Sequence, residues 1–126
     1  MHKSQVIIAS TFIMLSIVLG AFGAHGLEGK ISEHGIEVWN TAAEYQMYAG
    51  LGLLAVALNA DKFKSSLKWF GVLLVVGTII FSGLLYLTAL QDLNPSLRIL
   101  GAFVPIGGTL MIASWSVLII QLLRKK

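Results

Sequence analysis

GAFGAHGLEGKISEHGIEVWNTAAEYQMY, residues 20 to 48, joins two apolar runs and gathers the chain's polar groups. It holds four of the six acids, Glu28, Glu33, Glu37 and Glu44, and two of the three histidines, His25 and His34. On either side the chain reads as hydrocarbon-compatible helix and short connector. If the protein has a polar site, its parts come from here.

Outside that stretch, composition sets the class. Hydrophobic residues make up 56% of the 126 and charged residues 12%, against about 25% charged in an ordinary soluble domain. Mean hydropathy is +0.83. These values describe one integral membrane domain, residues 1–126. The formal charge of +3 comes from basic residues beside apolar runs, where they set topology and meet anionic lipid rather than forming a nucleic-acid groove. The chain has no cysteine, which removes disulfides, thiolate metal sites and cysteine nucleophiles together.

Four spans are expected, at about 6–24, 41–60, 69–90 and 96–123. Val6 to Ala24 carries no charge and gives about 28 Å of helix, close to the hydrocarbon thickness. It is longer than the apolar core of a cleaved signal peptide, and three more such runs follow. Ser16, Gly20 and Ala24 place small side chains on one face for close helix packing. The last span contains Pro105, whose missing N–H predicts a kink at the carbonyl of Gly101, with Gly107 and Gly108 loosening the next turn. Asn94-Pro95 reads as an N-cap followed by proline at the first helical position.

Between the first two spans, Leu27, Ile31, Val38 and Ala42 fall on one side of a helix, with Glu28, Lys30, Glu33 and Glu37 largely on other faces. That pattern predicts a short amphipathic helix in the membrane interface, with Trp39 at headgroup level. Thr41-Ala42-Ala43-Glu44 matches a capping box and would start the second span. Glu44 then lies near a helix start, within reach of water. Thr78 and Ser82, four residues apart, either face a neighbouring helix or bond their own preceding carbonyls.

Seven Lys and Arg flank the terminal side (Lys3, Lys62, Lys64, Lys68, Arg124, Lys125 and Lys126), against Lys30 and Arg98 on the other. The positive-inside rule then puts both termini in the cytoplasm, in a plasma-membrane, multi-pass chain. Short loops imply an all-α, four-helix up-and-down bundle.

GAFGAHGL at 20 to 27, TAAEYQMY at 41 to 48, FSGLLYLTAL at 81 to 90 and VPIGG at 104 to 108 resemble domain-of-unknown-function family 423. That family comprises small bacterial inner-membrane proteins with four predicted helices. The resemblance covers nearly the whole chain and implies a location and a fold, with no activity attached. In the family a histidine tends to follow the YQMY run, whereas this chain has Ala49. The departure weighs against a mechanism that needs His25 and a second histidine.

The residues set out for a polar or ligand site are His25, Glu44, Gln46 and Tyr48, with His25 and Glu44 a hypothetical pair at one membrane face. No catalytic, cofactor or metal site is expected. His25 with Glu28, and Glu33 with His34 and Glu37, lack a zinc-site spacing, and no GxSxG occurs. The sequence therefore favours a non-enzymatic protein that packs with lipids, with itself as a homo-oligomer, or with another membrane protein. The alternative is a small oligomeric transporter or channel with an outer vestibule.

Overall fold

The computed structural model describes residues 1–63 and 66–124. Lys64, Lys125 and Lys126, three of the basic residues counted on the terminal side, lie outside them. Four α-helices carry the fold: α1 (Lys3–His25), α2 (Glu33–Leu58), α3 (Lys68–Ala89) and α4 (Val104–Arg124). A 3-10 turn (Ala60–Lys62) follows α2, and a 3-10 segment (Pro95–Phe103) precedes α4. No strand occurs among the described residues. Three helical stretches are long and apolar enough to cross a membrane: Lys3–His25, Lys68–Ala89 and Pro95–Arg124.

Each helix packs on the next in sequence. Contacts between α1 and α2 run in opposite directions along the two helices. The His2 N–H donates to the Ala57 carbonyl, Gln46 reaches Phe12, and Trp39 reaches Leu19. The other two pairs are antiparallel as well, through Ser82 with Ala42 and Phe70 with Trp115. α2 lies between α1 and α3 and buries ten residues along its length, whereas α1 buries only Gln5, Ala9, Ser16 and Gly23. That position explains why α2 is the least apolar helix. It faces protein on two sides and carries small and polar groups where a lipid-facing helix carries Ile and Leu.

The separate interfacial helix is not what the chain forms. Ser32 accepts from the Gly35 N–H and caps a helix that continues from Glu33 through Leu58. Gly29, at φ +78°, supplies the left-handed turn that brings the chain back from α1. Leu27 and Ile31 pack beneath Trp39 and Ala89, because the turn folds their apolar side onto the helices instead of into lipid. Trp39 is only 5% exposed and is a core residue, not a headgroup anchor. The capping box fails for the same reason. Thr41 is already two turns inside α2, and its hydroxyl donates to the Glu37 carbonyl.

Close helix approach also differs from the Ser16, Gly20 and Ala24 expectation. Gly20 faces open space, whereas Gly23 lies against the Trp39 indole and Gly50 against Ala9 and Phe12. On α3 and α4 the tightest point is Gly77 against Gly107, where an added Cβ on Gly107 would meet the Phe81 backbone. Gly107 therefore serves contact rather than looseness, and Gly108 sits against the Phe81 ring.

At the Gly101 carbonyl, where the sequence predicts a kink, the chain changes from 3-10 to α winding. Residues Pro95–Phe103 wind as 3-10, and the Val104 N–H takes the Gly101 carbonyl. Pro105 then occupies the first turn of α4, where its missing N–H has no intrahelical partner to lose. Asn94 does cap the segment, accepting from the Ser96 N–H.

Candidate functional site

The polar groups at the helix contacts form one connected network. The Trp39 indole N–H donates to the Leu19 carbonyl at 2.7 Å. About two turns further in, Gln46 Nε2 donates to the Phe12 carbonyl at 3.0 Å, and Tyr86 donates its hydroxyl to Gln46 Oε1 at 2.8 Å. Ser82 donates to the Ala42 carbonyl at 2.9 Å. The Trp39 and Tyr86 rings meet edge to face with centroids 4.7 Å apart. Thus α1, α2 and α3 are pinned by groups whose donors and acceptors are paired, as buried polar atoms in an apolar setting require.

The α3 half of this network occurs at four-residue intervals: Thr78, Ser82 and Tyr86. Thr78 bonds its own Leu74 carbonyl and Ser82 crosses to α2, so each takes one of the two roles the spacing allowed. The sequence pairs Thr78 with Ser82 and gives Tyr86 no role beside them. The i, i+4, i+8 spacing was the available signal. A recess of about 200 Å³ opens beside the network, lined by Phe12, Leu15, Gln46, Thr78, Ser82 and Tyr86 among others. It contains no acid, base or nucleophile pair capable of acyl or phosphoryl chemistry. Among the described residues no three His, Cys, Asp or Glu gather as metal ligands.

Of the four residues singled out from sequence, the structure draws only Gln46 into this network. His25, Glu44 and Tyr48 are exposed. His25 ends α1. Glu44 lies two residues before Gln46, whose amide meets Phe12, so Glu44 is level with Met14, the midpoint of α1. On α3, the bond from Ser82 to Ala42 sets Glu44 level with Ile80, again near mid-helix. The separation between His25 and the level of Met14 is eleven residues, about 16 Å of helix. The two are not partners. Nor is Glu44 near a helix start, as the sequence implied, because α2 begins eleven residues earlier than Glu44.

Glu44 also belongs to an exposed stripe along α2: Glu33, Glu37, Asn40, Glu44, Tyr48, then Leu51, Ala55 and Leu58. Its first five members are polar or amphipathic. The exposed faces of the neighbouring elements differ, with Ile7, Met14, Ile17 and Val18 on α1 and Ile106, Ile112, Ile119 and Leu123 on α4. Among the described residues no hydrogen bond reaches the Glu44 carboxyl from its own chain. Tyr45, one residue on, turns toward α3, its ring tilted against Phe81 with centroids 5.1 Å apart and edge-on to Tyr48 with centroids 5.4 Å apart.

A second polar tie closes the opposite end from the termini. The Ser32 N–H donates to Asp92 Oδ2 at 2.7 Å, linking the start of α2 to the turn after α3. This backbone bond, with help from the Ser32 hydroxyl, holds the Asp92 carboxyl below the usual carboxylate range.

Comparison with known proteins places these features in a family. The family model described as "Protein of unknown function (DUF423)" matches residues 19–108. The UPF0382 membrane protein SH2409 of Staphylococcus haemolyticus is 46% identical over 119 residues, covering 94% of each chain. The UPF0382 membrane protein SERP0230 of Staphylococcus epidermidis is 45% identical, covering 97% of each. The UPF0382 membrane protein YwdK of Bacillus subtilis is 40% identical over 97% of this chain and 98% of its own. No solved structure matches. An apolar, all-helical chain with such relatives is a membrane protein, and this one belongs to the DUF423 family.

Proposed function

We propose that the protein is a non-enzymatic interaction protein of the cytoplasmic membrane that assembles with further copies of itself through the exposed stripe of α2. In this reading the four helices form an up-and-down bundle across the bilayer with both termini in the cytoplasm. The exposure of Glu44 beside the midpoints of α1 and α3 carries the proposal. An acidic side chain at the centre of a membrane helix costs about 2.5–3.5 kcal/mol on insertion scales. A second copy related by a two-fold axis would cover the stripe with the same stripe. Glu44 of one protomer then meets Tyr48 of its partner, a hydroxyl able to donate to it or accept from it.

The test uses the absence of native cysteine. Single cysteines at Leu51→Cys on the stripe and Ile112→Cys on α4, both exposed, are oxidised in native membranes. Cross-linked dimer from Leu51→Cys and none from Ile112→Cys is the expected result. No dimer from Leu51→Cys, or equal yields from both, overturns the interface.

One observation favours a second reading. The stripe is polar from Glu33 to Tyr48, so two copies would enclose an acidic path from the outer surface to mid-membrane, as a small cation transporter needs. Proton or cation flux into proteoliposomes that Glu44→Gln abolishes would select this reading. Cross-linking without flux selects the organising role.

A further inference from the structure

A groove of about 310 Å³ runs between the first turns of α1 and α3 and uses no residue of α2. Its walls are Ile8, Val72, Val75 and Val76, and His2, Ser4 and Lys68 stand at its mouth. From Lys68 to Val76 the apolar wall extends about 12 Å along the helix. At its base lies Gln5, which is 7% exposed and seated over Gly71 with no room for a Cβ between them. Gln5 Nε2 donates to the Leu67 carbonyl at 3.2 Å, while Gln5 Oε1 has no partner. A buried amide oxygen without a donor is costly in an apolar setting.

We propose that this groove binds one anionic phospholipid of the surrounding membrane, with its phosphate at Lys68 and His2 and one acyl chain along the valines. Charge complementarity identifies the occupant. The described basic residues at this end are Lys3, Lys62, Lys68 and Arg124, against the single acid Asp61. Lys68 is placed at the first residue of α3, beside the exposed Trp69 ring, a pairing suited to headgroup depth. A zwitterionic headgroup satisfies this mouth less well because its own cation faces Lys68.

The experiment is native mass spectrometry of the full chain in mild detergent, titrated separately with dioleoyl phosphatidylglycerol and dioleoyl phosphatidylcholine. One phosphatidylglycerol per chain, retained at least ten-fold better than phosphatidylcholine, is expected. Lys68→Gln should erase most of that preference. Lys62→Gln, at the same end but off the groove, should leave it. Val72→Trp fills the groove from a 42% exposed position and should remove the adduct; Val76→Trp, equally exposed, asks the same question if the first variant does not fold. Equal retention of the two lipids by the wild type overturns the proposal. So does a Lys62→Gln loss matching that of Lys68→Gln, which would mean diffuse surface charge, or an adduct that persists in the tryptophan variants.

Discussion

Tyr86 on α3 and Gln46 on α2 share a 2.8 Å hydrogen bond, and the same Gln46 amide continues to the Phe12 carbonyl of α1. One side chain thus links three helices. Tyr86→Phe keeps the ring against Trp39 and strips only the hydroxyl, leaving Gln46 Oε1 without its donor. We expect a loss of about 0.6–2 kcal/mol, the range for interhelical hydrogen bonds in membranes. Gln46→Leu should cost a similar amount, and the pair of changes together less than their sum. Unfolding measured in the same micelle for all three variants checks this, and additivity would rule out the link.

Glycines separate into two groups by what lies beside them. Gly107→Ala drives a methyl into the Phe81 and Gly77 backbone, which no side-chain rotation relieves, and should cost about 1–3 kcal/mol. Gly20→Ala meets nothing within 4 Å and should be neutral or stabilising by up to about 1 kcal/mol through helix propensity. Thermal unfolding in detergent reads both. Equal losses at the two positions would contradict the α3–α4 contact.

Acid should loosen the tie between Asp92 and Ser32. The folded form holds the Asp92 proton less readily than the unfolded chain, whose carboxyl titrates near about 3.9. Its contribution is therefore complete above about pH 4 and is lost as pH falls through the lower folded-state value. Asp92→Asn keeps an acceptor for the Ser32 N–H and removes the titration. Stability profiles between pH 7 and 3 should diverge below about pH 4, the wild type falling more steeply; coincident profiles would refute the tie.

His25 and Glu44 should behave as strangers. They are separated along the bundle by about three turns, so His25→Ala and Glu44→Gln should combine additively to within about 0.3–0.5 kcal/mol. A larger coupling in a double-mutant cycle would contradict their placement. Glu44→Gln is also expected to leave the Gln46–Tyr86 bond intact, since the two side chains leave α2 in different directions.

The membrane setting and the helical class were already in the sequence, because long charge-free runs such as Val6 to Ala24 leave a chain few other solutions. So were the family and the Asn94 cap, which depend on adjacent residues alone. The extent of α2 was not. Its hydrophobic pattern is interrupted by Gln46, which is buried against both neighbouring helices, and by Glu37 and Glu44 on its exposed stripe, so its outer turns resemble a separate amphipathic piece. Only the tertiary structure shows Trp39, Leu27 and Ile31 as core. Only the tertiary structure brings Tyr86 to Gln46, forty positions apart. The depth of Glu44 was decided in the same way. A capping-box pattern is a statement about four neighbouring residues, whereas depth depends on where the antiparallel contacts with α1 and α3 set the register, and those contacts join side chains that no local pattern connects.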